Sequence, residues 1–195
     1  MKKNIIIMIM IAFGFSLALA GDLKLPPITE KTLDNGLDVI IIENHELPIV
    51  AMQVVIKSGS AFNPAGKAGL ADFTAGMLRK GTKTKSAVEI SEAIDFVGGS
   101  LDASSNRDIT TASSSVLLKH FDVGLSLLAD IVQNPVFDTT EISRLRNQIL
   151  SGIIQAKDDA NSLVENGFNS MLFGAHPYGQ PQEGTETSVN SITRE

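Results

Sequence analysis

The spacing of apolar residues changes its period along this chain, and this change constrains the fold more than any other feature. Asn35-Gly36, a strong signal for a tight hairpin turn, separates two short runs of strand-forming residues. A third run, residues 48–56, is rich in β-branched side chains. Beyond it, apolar residues recur every three or four positions, which predicts an amphipathic helix over residues 66–79. The chain therefore begins with strands and then combines them with helices.

The remaining segments complete a predicted order of β-β-β-α-α-β-β-α-α-α. A capping box at Ser86 and Glu89 starts the second helix, and residues 106–108 form a turn between two more strands. Three further helices are predicted, with boundaries at Asn134-Pro135, at Asp138 or Thr139, and at Asp158-Asp159. Because strands occur in hairpins and helices in groups, this order predicts an α+β fold, a mainly antiparallel sheet with helices packed on one face.

The first twenty residues have the pattern of a secretory signal peptide. Lys2 and Lys3 precede an apolar run, and Ala18-Leu19-Ala20 supplies the small residues that signal peptidase requires. The apolar run is shorter than the roughly 20 residues that span a bilayer, so we expect cleavage after Ala20 and no retained membrane anchor. The predicted location is the periplasm or the extracellular space. Residues 21–195 are predicted to form a single domain.

The composition argues against several classes of protein. The chain has 16 Lys+Arg against 22 Asp+Glu and no basic block, whereas a nucleic-acid binder needs clustered cations. The absence of cysteine excludes disulfides, thiolate zinc sites, iron–sulfur clusters and cysteine nucleophiles. The three histidines, His45, His120 and His176, are scattered, and none has a second His or a Glu at the spacing of a metal site.

Residues 69–82, GLADFTAGMLRKGT, resemble the signature helix of the pitrilysin/insulinase zinc peptidases, whose active members read GLAHFLEHMLFKGT. The resemblance continues through residues 33–37, 96–99 and 176–179, and it extends over residues 28–195 in the same order. It implies the N-terminal domain of a processing-peptidase-like bacterial member of this family (M16). It also implies that the domain is truncated before its last elements and that the family's second domain is absent.

The resemblance identifies the positions where active members carry their chemistry. Their H-x-x-E-H helix supplies two imidazole ligands and a general-base glutamate, and a second glutamate about 75–80 residues later is the third zinc ligand. In this chain those positions are Asp72, Ala75 and Gly76, with Gly152 on the later helix. The resemblance therefore implies no catalytic residue and no zinc in this chain, and zinc only in an active partner.

The family also binds extended peptides at a sheet edge close to the signature helix. The segment that resembles this edge contains Leu101, Asp102, Ala103 and Ser104, which makes them candidate peptide-binding residues. The alternative is an ordinary edge strand on which Asp102 prevents aggregation.

Three functions are open on this basis. The first is a non-catalytic homologue, an inactive subunit that forms a heterodimer with an active zinc peptidase and encloses an unfolded peptide or protein. The second is a zinc-dependent metallopeptidase with relocated ligands. The third is a stand-alone periplasmic peptide-binding or scaffold protein.

Overall fold

The computed structural model describes residues 26–194, so the predicted signal peptide lies outside the described residues. By its contacts the chain divides into two compact units, one ending at Leu47 and the other beginning at Pro48. The single domain over residues 21–195 stays a prediction. Of the helices that the structure describes, none is both long enough and apolar enough to cross a membrane.

The first unit contains an antiparallel hairpin of β1 (Ile28–Thr32) and β2 (Asp38–Ile42). The backbone N–H of Gly36 donates to the Leu33 carbonyl over 2.9 Å and closes the turn. Gly36 has a φ of +83°, a left-handed conformation that glycine adopts without steric cost. The hairpin predicted around Asn35-Gly36 is therefore confirmed.

The second unit is built on a three-stranded antiparallel sheet. Its strands are β3 (Ile49–Ile56), β4 (Ser100–Ser105) and β5 (Thr110–Leu117), in the spatial order β3-β5-β4. β4 and β5 form the hairpin that was predicted around residues 106–108. Within this described sheet β5 is central, and β4 lies at an edge.

Six helices accompany the sheet in the described part of this unit. They are α1 (Leu70–Leu78), α2 (Ala87–Phe96), α3 (Phe121–Gln133), α4 (Thr139–Ala156), α5 (Ala160–Phe173) and α6 (Glu186–Asn190). The capping box of α2 is confirmed, since Ser86 Oγ accepts the Glu89 N–H and the Glu89 carboxylate accepts the Ser86 N–H. Asp138, rather than Thr139, caps α4.

Helix α1 begins four residues later than the predicted start at residue 66. Gly69 has a φ of +90°, so a right-handed helix cannot run through it. The side-chain oxygen of Asn63 accepts the Ala71 N–H over 3.0 Å and satisfies one free donor of the first turn. The apolar residues that indicated the helix, from Leu70 to Leu78, all lie within α1, so the predicted start extended beyond the residues that supported it.

Two clusters of buried apolar side chains form the core of the second unit. The sheet cluster packs α1, α2 and α3 on one face of the sheet and consists of Leu78, Ile90, Ile94, Val97, Leu101, Ala112, Val116, Leu127, Leu128 and Ile131. The helix cluster joins α1 to α4 and to the C-terminal residues, and consists of Phe73, Met77, Ile142, Leu145, Val189 and Ile192. Helix α1 contributes to both clusters. The predicted α+β fold, with an antiparallel sheet and packed helices, is confirmed.

Candidate functional site

The three signature positions of α1 lie on one side of that helix. Asp72, Ala75 and Gly76 are at i, i+3 and i+4, a spacing that places side chains on the same helical face. Ala75 is 1% exposed, and the other two are half-buried. Since Phe73 and Met77 anchor the helix in the core, the position of this face is fixed by packing.

The fourth position, Gly152, lies on α4. A Cβ atom added to Gly76 would lie 3.0 Å from Leu145 Cδ2, so α1 and α4 are in close contact there. Gly152 is two helical turns beyond Leu145 and lies on the same side of α4. No atom lies within 4 Å of the Cβ that a side chain at Gly152 would add. The later helix therefore has room for a longer side chain at this position.

A cavity of about 740 Å³ opens between α4, α5 and residues 181–187, and Gly152 and Glu183 both line it. Burial raises the pKa of the Asp72 carboxyl, and the negative charge of Glu183 raises it further. Glu183 therefore lines the same cavity as Gly152, and its charge also acts on Asp72 of α1. Its role was missed from the sequence, because nothing in the local pattern connects residue 183 to residue 72.

No group of three His, Cys, Asp or Glu side chains that could hold a metal ion occurs within residues 26–194. His45 lies in the first unit beside Glu43, with 3.3 Å between Nε2 and Oε2. His120 immediately precedes α3, and His176 accepts the Tyr178 N–H through Nδ1.

The predicted peptide-binding residues all lie on β4, but their side chains divide between two faces. Leu101 and Ala103 point towards the helices and pack in or against the sheet cluster. Asp102 and Ser104 are exposed on the opposite face. Since alternate side chains point in opposite directions, what the four residues share is the backbone of an edge strand.

Arg79, which follows α1 directly, is a contact residue that the sequence analysis missed. Its Nη1 donates to the Leu101 carbonyl and to Asp102 Oδ1, which is 2.6 Å away. A cavity of about 270 Å³ lies beside this contact, with Ile90 and Ile94 among its lining residues. The available signal was the Arg in the signature segment at the position where active members have Phe. The end of the signature helix is thus tied to the edge of the sheet.

Comparison with known proteins identifies the family. The sequence profile of the insulinase family, peptidase family M16, matches residues 38–186. The chain belongs to the insulinase family. One curated relative, an uncharacterized zinc protease of Rickettsia bellii, is 34% identical over 163 residues, which are 84% of this chain and 40% of the relative. The chain thus spans about two fifths of that relative's length.

Solved structures agree with this assignment. The crystal structure of a peptidase M16 inactive domain from Pseudomonas fluorescens is similar with a TM-score of 0.81 and 25% identity, over 86% of this chain and 41% of that chain. A protease from Helicobacter pylori has the same fold, with a TM-score of 0.82 and 23% identity over 88% of this chain and 42% of its own. The predicted M16 resemblance is confirmed.

Proposed function

We propose that this insulinase-family chain is a non-catalytic homologue that binds extended peptide and pairs with a zinc-bearing family member. The observation that carries the proposal is the replacement of all four catalytic positions within a well-packed fold. These positions are Asp72, Ala75, Gly76 and Gly152. The similarity to an M16 inactive domain supports the proposal.

The residues at these positions lack the chemistry of a zinc peptidase. Such an enzyme needs three protein ligands, an open position for water and a general base. Only Asp72 offers a ligand atom, and burial raises the pKa of its carboxyl, because the charged form that would bind a cation is costly there. Ala75 is buried and carries no base. We therefore expect neither tight zinc binding nor peptide hydrolysis from this chain alone.

Metal analysis and a cleavage assay of the purified full chain test the loss of chemistry. We expect no stoichiometric zinc. We also expect no EDTA-sensitive cleavage of an unfolded peptide. Stoichiometric zinc together with EDTA-sensitive turnover would contradict the proposal and favour a metallopeptidase with relocated ligands.

A fourfold variant tests whether the residues at these four positions are the reason that the chain is expected not to bind zinc. Combining Asp72→His, Ala75→Glu, Gly76→His and Gly152→Glu should introduce zinc binding, because Gly152 has open space around it. The histidine at position 76 requires Leu145 to shift, since its Cδ2 lies 3.0 Å from the new Cβ. The threefold variant without Gly152→Glu is the matched control. It should bind zinc more weakly, because the site then lacks one of its three ligands.

The edge of β4 is the part of the chain that supports peptide binding. An extended peptide can add as a strand to an exposed sheet edge, with backbone hydrogen bonds supplying affinity. β4 is an edge strand in the described sheet and lies next to the signature helix through Arg79. The proposed ligand is therefore an unfolded peptide or protein segment.

The proposed partner is an active homologue that carries H-x-x-E-H. We expect co-expression of the full chain with such a protein from the same organism to give a one-to-one complex by light scattering. EDTA-sensitive cleavage by the complex should exceed that of the partner alone. If the partner's mass and activity stay unchanged while peptide still binds, the chain is instead a stand-alone peptide-binding or scaffold protein.

The proposed location is the periplasm or the extracellular space. It rests on the signal-peptide pattern that ends at Ala20. Cell fractionation followed by N-terminal sequencing should find a mature chain that begins at Gly21. A chain that retains Met1 in the cytoplasmic fraction would contradict it.

A further inference from the structure

The hydrogen-bond pattern of the β4–β5 hairpin shows which backbone groups of β4 face the free edge. The Asn106 N–H donates to the Ile109 carbonyl over 2.9 Å, so these two residues form a hydrogen-bonded pair. In an antiparallel ladder such pairs alternate with non-hydrogen-bonded pairs. Counting back along the register, Leu101, Ala103 and Ser105 lie in non-hydrogen-bonded pairs. Their N–H and C=O groups therefore point away from β5, towards the free edge.

Two side chains from other elements donate to this row of groups. Arg79 Nη1 donates to the Leu101 carbonyl at one end. Gln182 Nε2 donates to the Ser105 carbonyl over 2.8 Å at the other end. Both contacts agree with the alternation, since each reaches a carbonyl assigned to the edge. Ala103 lies between them. The edge is thus closed at two points, one by a charged donor and one by a neutral donor.

The Arg79 contact differs from the Gln182 contact because it includes a carboxylate. The same Nη1 also donates to Asp102 Oδ1 over 2.6 Å, and the Asp102 side chain is 67% exposed. The guanidinium therefore bridges an edge carbonyl and an exposed carboxylate on neighbouring residues of β4. An added peptide strand would make the same two contacts with a backbone N–H and a basic side chain.

We propose that Arg79 occupies the place of a basic side chain of the peptide and that Asp102 selects peptides that carry one. This inference rests on the peptide binding proposed above. A peptide that adds to β4 displaces Arg79 from the Leu101 carbonyl. The displacement leaves Asp102 available to the peptide.

The geometry of strand addition fixes which peptide residue Asp102 contacts. In an antiparallel addition, the peptide residue opposite Leu101 exchanges two backbone hydrogen bonds with it. Because the two strands run in opposite directions, the peptide residue just before it faces Asp102 in a non-hydrogen-bonded pair, where opposing side chains are closest, and an opposite charge there is favourable. The side chain opposite Leu101 points towards the helices and the cavity there, whose lining combines Ile90 and Ile94 with polar residues such as Ser91 and Asp95. The expected recognition element is a Lys or Arg directly before the residue that faces Leu101.

Fluorescence anisotropy with the full chain and three labelled ten-residue peptides tests the inference. The peptides are identical except for Lys, Ala or Glu at one central position that directly precedes a valine. We expect the wild-type chain to bind the Lys peptide about tenfold more tightly than the Glu peptide, with the Ala peptide between them. The preference should weaken as salt rises, because both partners are exposed.

Four variants separate the contributions. Asp102→Asn should remove the Lys-over-Glu preference, whereas Asp95→Asn, at the rim of the same cavity, should retain it. Arg79→Ala should tighten binding of the Ala peptide by about threefold to tenfold, because the intramolecular competitor is gone. Gln182→Ala is the matched control at the other end of the edge. It should tighten binding of all three peptides equally and leave the preference unchanged.

The outcomes distinguish this inference from the proposed function. Peptide binding without a charge preference, or without any gain from Arg79→Ala, overturns the role of Arg79 and Asp102 and leaves peptide binding intact. No binding by the wild-type chain or by any variant overturns both. If Arg79→Ala does not fold, as judged by circular dichroism, Arg79→Gln takes its place. It keeps a neutral donor for Leu101, so it should tighten binding of the Ala peptide by a smaller factor.

Discussion

The signature face of α1 and the edge of β4 differ in what their residues retain. On α1, Ala75 is buried and Gly76 lies against Leu145, so these positions serve packing and carry no reactive group. On β4, Asp102 is exposed, and the backbone keeps donors and acceptors directed at the free edge. The comparison teaches that the two regions can vary separately, because the packing of the core and the exposed polar groups of the sheet edge depend on different side chains.

The largest effect on stability is expected on the side of α1 that packs in the helix cluster. Phe73 is 2% exposed in the helix cluster and lies below the Arg146 guanidinium, 5.9 Å from its ring centroid. Phe73→Ala should lower the free energy of unfolding by about 3–5 kcal/mol, because it removes buried area and leaves a cavity. Urea titration of the full chain measures it. The exposed neighbour Thr74→Ala is the control, and it should change stability by less than about 0.5 kcal/mol.

The next effect concerns the residues that fix the chain after α1. Asp130 on α3 accepts hydrogen bonds from Thr82 Oγ1 at 2.6 Å, from Thr84 Oγ1 at 2.7 Å and from Asn134 Nδ2 at 2.9 Å. Asp130→Ala leaves these donors without their acceptor and should cost about 1–3 kcal/mol of unfolding free energy. An effect below about 0.5 kcal/mol would show that water replaces the carboxylate.

Asp130 also predicts a pH dependence. The Thr82 hydrogen bond, followed by those from Thr84 and Asn134, holds the pKa of the Asp130 carboxyl below its ordinary value. The stability that the carboxylate contributes is therefore present above about pH 4 and is lost as the pH falls through the lowered pKa. Asp130→Asn should remove this part of the acid dependence, which thermal unfolding at several pH values would measure. An unchanged acid profile in this variant would contradict it.

A smaller effect of opposite sign is expected on the covered face of the sheet. Ser114 is 2% exposed, and its hydroxyl has no hydrogen-bond partner among the described residues. Ser114→Ala should raise the free energy of unfolding by about 1 kcal/mol, because a buried hydroxyl without a partner is costly. Ser113→Ala, on the opposite face, is the matched control and should be nearly neutral. Destabilisation by Ser114→Ala in a denaturant titration would indicate a bound water at that hydroxyl.

The smallest effect is expected at Asp72 on the signature face, and it tests whether the folded chain needs a charged carboxylate there. Burial and Glu183 raise the pKa of Asp72, so its carboxyl binds a proton more tightly in the folded chain than in the unfolded chain. Stability contributed by Asp72 is present below about pH 4 and is lost as the pH rises through the raised pKa. Asp72→Asn should therefore stabilise the chain at neutral pH by less than about 1 kcal/mol and show no such loss. Destabilisation by Asp72→Asn at pH 7 would contradict this prediction and would indicate that the charged carboxylate makes a favourable interaction.

Local patterns predicted most of the elements and fewer of their boundaries. The Asn35-Gly36 turn, the capping box at Ser86 and the order of strands and helices follow from turn chemistry and period, which act over a few residues. The start of α1 was predicted four residues too early, because the left-handed backbone at Gly69 excludes residues 66–69 from the helix and the apolar period begins only at Leu70. The period alone contains no information about that dihedral angle.

The sequence by itself determined the α+β fold and the family, because both depend on residue identity at a fixed spacing. It also predicts that Asp72, Ala75, Gly76 and Gly152 stand where active members carry their catalytic groups. Only the tertiary structure decided that Arg79 and Gln182 close the edge of β4 and that Glu183 acts on Asp72. The physical reason is sequence separation. Arg79 lies 22 residues from Leu101 and Gln182 lies 77 residues from Ser105, so both contacts exist only after the elements between them have packed.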